Sequence, residues 1–151
     1  PSAPMFRRAG LLVRIDGVTM KQMLLQDKYP IYVLEIAKGE TSCATVADVA
    51  ARLKANIDSD ERVAWIAEFD HYAHTSGLGG AIASEIKDAR NLVFCFGLQL
   101  PNPLVLAVRP RSIGIADCGD KFVVSFMEAP MPVANIAMEG WVKGLCDKGA
   151  T

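Results

Sequence analysis

The sequence has no excess of charge of either sign: 16 lysines and arginines stand against 17 aspartates and glutamates, a net charge of −1 over 151 residues. Nucleic acids and anionic membranes attract basic fields, so neither is expected as a partner. Cysteine is scarce. Cys43, Cys95, Cys118 and Cys146 lie far apart with no C-x-x-C pair, which excludes a zinc ribbon and a thioredoxin-type motif and argues against a disulfide framework. Long apolar runs are missing too, since the longest, Leu92 to Leu98, has seven residues where a membrane span needs roughly 20. Arg7-Arg8 precede an apolar stretch that Arg14 and Asp16 cut short, so no export signal is read and a cytoplasmic location is expected. No G-x-S-x-G, H-E-x-x-H, Walker A or complete G-x-G-x-x-G occurs, and the chemistry those motifs carry loses its sequence support.

What is present is apolar material: 51% of the residues are hydrophobic. A chain of this size can bury roughly 68–70% of its unfolded surface, so one core is expected without staples. Met20, Met23 and Leu24 recur at helical spacing before Tyr29-Pro30. Residues 1–28 therefore read as an N-terminal arm with a short helix, and residues 29–151 as a single domain. Ile31 to Ala37 reads as a strand. Thr45 with Asp48 three positions on is a helix start, and Val46, Val49, Leu53 and Ile57 share one face of the helix that follows. Val63 to Asp70 alternates as a strand, with Val63, Trp65, Ala67 and Phe69 on one side. Asp70 to Gly80 reads as a loop, Ala81 to Ala89 as a short helix and Asn91 to Leu98 as an apolar strand. Leu104 to Val108, among three prolines, fits either a strand or a helical turn. Ile113 to Asp117 and Lys121 to Met127 flank a short glycine-containing loop and read as a hairpin. Val133, Ile136, Ala137, Trp141 and Leu145 outline a last helix that closes near Gly149.

That order predicts an α+β fold, a curved and mostly antiparallel sheet packed against two main helices (β-α-β-short α-β-β-β-α), with an N-terminal helical arm. The strands carry a further implication. Ile31 to Ala37 and Asn91 to Leu98 are apolar on both faces, and two helices cover only one. The other face calls for short helices and loops of the same chain, a partner subunit or an apolar ligand; a homodimer is the leading expectation.

Chemistry concentrates in Asp70-His71-Tyr72-Ala73-His74-Thr75-Ser76-Gly77, which holds both histidines of the chain. Asp70, His71 and His74 could supply three ligands to a divalent metal, and either imidazole could act as a general base near its ordinary pKa of about 6.5. The competing reading is that Asp70 and His71 bond to backbone groups where the strand gives way to a turn. Glu35, Glu68 and Glu128 punctuate three strands; a pair of them brought together could divide acid and base roles, whereas salt bridges to Lys38, Arg109 or Arg111 are the ordinary explanation. Gly77-Leu78-Gly79-Gly80 ahead of the expected helix at Ala81 could cradle an anion. Cys118 lies between Asp117 and Asp120, whose charges raise a thiol pKa and argue against a reactive cysteine.

Phe69-Asp70-His71, Ala73, Gly77-Leu78, Phe96-Gly97, Arg109-Pro110, the hairpin Ile113 to Phe126 and Pro130 occur in a familiar order. From about Thr45 to Pro130 the chain resembles a bacterial family of domains of unknown function with a TATA-box-binding-protein-like, helix-grip two-layer fold. Here Gly97 is followed by Leu98-Gln99-Leu100-Pro101, where that family often has Asn-Pro. The resemblance implies a small cytoplasmic protein, commonly dimeric, without an established reaction. It carries Asp70, His71 and Gly97 over as the positions to test.

The residues together predict a homodimeric, non-enzymatic ligand-binding or accessory module. A pocket for a small apolar ligand is expected near Asp70, His71 and His74, with Gly97 as a further ligand-binding candidate, and no cofactor is expected. The alternative is a small hydrolase or isomerase using His71 or His74 as general base, metal-assisted through His71, His74 and Asp70.

Overall fold

The computed structural model describes residues 12–15 and 18–148. It is an α+β fold: one antiparallel sheet with two helices packed on one face. The strands are β1 (Leu12–Ile15), β2 (Val18–Leu25), β3 (Tyr29–Ala37), β4 (Val63–Asp70), β5 (Asp88–Phe96), β6 (Arg111–Asp117) and β7 (Lys121–Met127), in the order β1-β2-β3-β7-β6-β5-β4. The helices are α1 (Val46–Asp58), α2 (His71–Gly77) and α3 (Pro132–Lys143), with short 3-10 turns at Lys38–Glu40 and Pro103–Val108. No helix of the described residues is long and apolar enough to cross a membrane.

Residues 18–25, read as helical from the spacing of Met20, Met23 and Leu24, form a strand instead. Pairing with β3 decides this: Lys21 faces Val33, Met23 faces Ile31 and Leu25 faces Tyr29. The turn between them places Gln26 and Asp27 at positive φ, a tight hairpin connection that the tyrosine-proline pair had concealed. Within the N-terminal arm, residues 12–15 are also a strand rather than helix, and residues 1–11, 16 and 17 lie outside the described residues.

The core lies between the sheet and its helices. Tyr32, Leu34 and Ile36 of β3, Phe122, Val124 and Phe126 of β7, Ile113 and Ile115 of β6, and Leu92, Phe94 and Phe96 of β5 all point to that side and are buried. Helix α1 opens as expected. The Thr45 hydroxyl accepts from the Asp48 amide while the Asp48 carboxylate accepts from Thr45, and Val46, Val49, Ala50, Leu53 and Ile57 pack inward. Each fully buried aliphatic side chain contributes roughly 1.5–3 kcal/mol. Helix α3 packs over β2 and β3, and Trp141 stacks on Phe96 at 5.8 Å between centroids. Its buried stripe is Ala134, Met138, Val142 and, just past its end, Leu145. Val133 and Ile136, assigned to that stripe in the sequence reading, are 43% and 58% exposed. Ala137 and Trp141, from the same reading, do pack against the core; Pro132 opens the helix and Gly144 caps its end, five residues short of Gly149.

Two further expectations change. Ala81 to Ala89 is not helical: its first residues are a loop, the Lys87 amide bonds the Asp117 carbonyl at 2.7 Å, and Asp88 already begins β5. The proline-bracketed Leu104 to Val108 segment is a 3-10 turn capped by the Asn102 side chain, which accepts from the Leu104 amide at 2.8 Å. The hairpin of β6 and β7 forms where it was read.

Candidate functional site

The histidine cluster is built by a β-bulge. Trp65 pairs with Phe94, but Ala67 pairs with Val93, so one extra residue in β4 reverses which side chains face the helices. Val63 and Trp65 pack against the core, whereas Ala67 and Phe69, grouped with them in the sequence reading, fall on the opposite face. Phe69 is thereby presented to α2. Its ring meets His71 edge-on at 4.7 Å and His74 at 5.2 Å.

Residues 71–77, expected as loop, are helical because the Asp70 carboxylate caps them, accepting from the Ala73 amide at 2.8 Å. His71 Nε2 lies 2.7 Å from Asn91 Oδ1. That acceptor makes His71 a donor through Nε2. Asp70 is thus engaged by backbone and His71 by a β5 side chain. Among the described residues no group of three His, Cys, Asp or Glu side chains is arranged to hold a metal. The glycine segment after α2 leads into loop rather than a helix, and Gly79 with φ +70° ends the turn, so it lacks the helix N-terminus on which its anion-cradle reading rested.

The strand carboxylates are apart and mostly paired. Lys121 holds Glu35 at 3.0 Å and Arg90 holds Glu68 at 2.7 Å, cations other than those expected. All four cysteines are free thiols. Burial, then Glu85, with smaller effects of Asp117 and Asp120, pushes the Cys118 thiol up.

An apolar cavity of about 350 Å³ opens at the other end of the sheet, where β5 stops and β6 begins. From Asn91 beside His71 to Phe96 at the cavity is five residues of strand, roughly 17 Å. The 3-10 turn contributes Val105 and Val108, and the start of α3 contributes Met131, Pro132 and Ala134. Ala129 and Pro130 close one side, and Arg109 and Arg111 supply the charge. The Arg111 guanidinium donates to the carbonyls of Val108 at 3.1 Å, Met127 at 2.6 Å and Glu128 at 3.0 Å. Burial lowers its pKa below the usual arginine value. Arg109 donates to the Gln99 carbonyl at 2.7 Å and lies against Gly97, where a Cβ would come within 2.8 Å of Arg109 Nη2.

Of the candidates read from the sequence, then, Gly97 belongs to the cavity end, through Arg109, while Asp70, His71 and His74 belong to the far end of the sheet. The cavity itself was hidden in the sequence. Its walls come from three separated stretches of the chain, and the local signal was the density of proline and leucine between residues 98 and 110.

No curated protein and no solved structure matches the chain. From Met20 in β2 to Asp147 beyond α3, residues 20–147 match the model of the family of unknown function DUF6858, and the chain belongs to that family.

Proposed function

We propose that the protein is a non-enzymatic binding module whose ligand site is the cavity between the 3-10 turn, the start of β6 and the start of α3. One observation carries this. A concave space of about 350 Å³ is walled by Phe96, Val105, Val108 and Met131 with two guanidinium groups at its edge. That is the size and composition of small-molecule sites, which are mostly apolar with a few placed polar groups. The histidine cluster, by contrast, is exposed and its polar atoms are partly occupied. N-phenyl-1-naphthylamine, a neutral dye that brightens in apolar surroundings, should bind with 1:1 saturation. Val108→Trp, a partly exposed wall position, should weaken it by about tenfold or more. Absence of saturable binding to the folded protein would overturn the reading.

A homodimer is the second reading. Leu25, Tyr29 and Met127 are exposed and lie on the sheet face opposite α1 and α3, while α2 packs at the other edge of the sheet, on β5 and Phe69 of β4. A second copy covering them would remove a contiguous apolar strip from water. Sedimentation equilibrium giving a monomer at micromolar concentration would overturn it.

A further inference from the structure

Arg109 and Arg111 differ from several sheet and helix cations in what they face. Lys38 pairs with Asp117, Arg52 with Asp147, Arg90 with Glu68 and Lys121 with Glu35. Among the described residues neither Arg109 nor Arg111 takes part in an ion pair, and no acidic side chain lines the cavity. Their partners are backbone carbonyls. Carbonyl dipoles fix the direction of a guanidinium but leave its net charge in place. Arg111 Nε is buried without any partner.

The start of α3 adds potential of the same sign. Among the described residues the amide end of this helix has no side-chain cap from Met131 and no acidic residue in its first turn, which Pro132 occupies. A half-buried cation without a counter-charge is costly, and an arriving anion offsets that cost.

We infer that the cavity takes an organic carboxylate, its headgroup on the Arg109 and Arg111 wall and its apolar body against Phe96, Val105, Val108 and Met131. This rests on the cavity being a ligand site, as proposed above. A guanidinium recognises a carboxylate through charge-assisted hydrogen bonds about twice as strong as neutral ones, so the headgroup sets the preference among ligands with equal apolar bodies.

Three eight-carbon probes separate headgroup from body: octanoate, octan-1-ol and octylamine, titrated calorimetrically into the full chain at neutral pH and moderate salt. Octanoate should bind at least about tenfold tighter than octan-1-ol, with octylamine weakest. Arg111→Met should abolish the difference between octanoate and octan-1-ol. If that variant does not fold, the order of the three probes on the unaltered protein decides alone. Equal affinity for octanoate and octan-1-ol, or tightest binding of octylamine, overturns the carboxylate inference and leaves the binding module standing. No binding by any probe, together with none by the neutral dye, overturns both.

Discussion

The Asn135 carboxamide and the Ala129 backbone form a closed two-way pair: Asn135 Oδ1 accepts from the Ala129 amide at 2.8 Å, and Asn135 Nδ2 donates to the Ala129 carbonyl at 2.9 Å. Both residues are buried. Because Asn135 lies in the first turns of α3 and Ala129 follows β7, this pair fastens the Ala129-Pro130 wall of the cavity to the helix that supplies Met131 and Ala134.

Asn135→Ala leaves a buried amide and a buried carbonyl unpaired, so it should lower stability by about 2–4 kcal/mol. Asn135→Asp keeps the acceptor, loses the donor and should cost less at low pH, where a protonated carboxyl can donate again. Urea unfolding of the two variants at pH 4 and pH 7 checks this. Equal stability of Asn135→Ala and the unaltered protein would show that the wall is held by something else.

Gly97 sits at φ +98°, a conformation that side chains with a Cβ disfavour, and Arg109 packs directly on it. Gly97→Ala should cost about 1–2 kcal/mol from the backbone alone. The contact with the flexible end of Arg109 should add little to stability but displace that guanidinium from Gln99. Thermal unfolding measures the first effect. The second should appear as weakened octanoate binding with octan-1-ol affinity nearly unchanged; equal loss for both probes would contradict it.

Asp147 ties the segment before α1 to the end of α3. Hydrogen bonds from Ser42, then from Arg52 at 2.8 Å, bring its pKa from the ordinary 3.8 to about 2. A depressed carboxyl pKa stabilises the folded state above the unfolded value and ceases to do so as pH falls through the folded one. The stability difference between the unaltered protein and Asp147→Asn should therefore be full above about pH 4 and shrink toward pH 2. Chemical unfolding at several pH values tests the sign, and a difference that grows on acidification would be inconsistent with it.

His71 and His74 face the far end of the sheet, roughly 17 Å of strand from the cavity. His71→Ala and His74→Ala should each leave octanoate affinity within about twofold. A loss of tenfold or more, read by calorimetry on folded variants, would move the ligand site back to the histidine cluster.

How far the fold can be read from the sequence depends on how local each signal is. Thr45 with Asp48 and the stripe through Ile57 need only neighbouring residues, and α1 forms where that pattern places it. The hairpin across Gly119 is equally local. Met20, Met23 and Leu24 fit a helix and a strand alike, and only pairing with β3, a partner contributed from beyond the turn, selects the strand. The bulge between Trp65 and Ala67 is invisible in an alternating pattern, yet it decides that Phe69 meets the histidines rather than the core. The site follows the same rule. The helix that Asp70 caps was read as loop, and the reading that Asp70 and His71 make ordinary structural bonds holds for Asp70 with the backbone, while His71 turns to Asn91. The cavity depends on Phe96, Arg111, Ala129 and Ala134 converging from different elements, and no spacing in the chain encodes that. Of the family resemblance, the expectation of a domain of unknown function agrees with the family match over residues 20–147.

The central claim, that the ligand site is this cavity, is tested most directly by amide chemical-shift mapping of the full chain during titration with octanoate. The largest saturable shifts should fall on Phe96, Val105, Val108, Arg111, Met131 and Ala134, with His71, His74 and Asn91 unmoved. Shifts centred on the histidine cluster or on the sheet face opposite α1 and α3, or none at saturating octanoate, would contradict it.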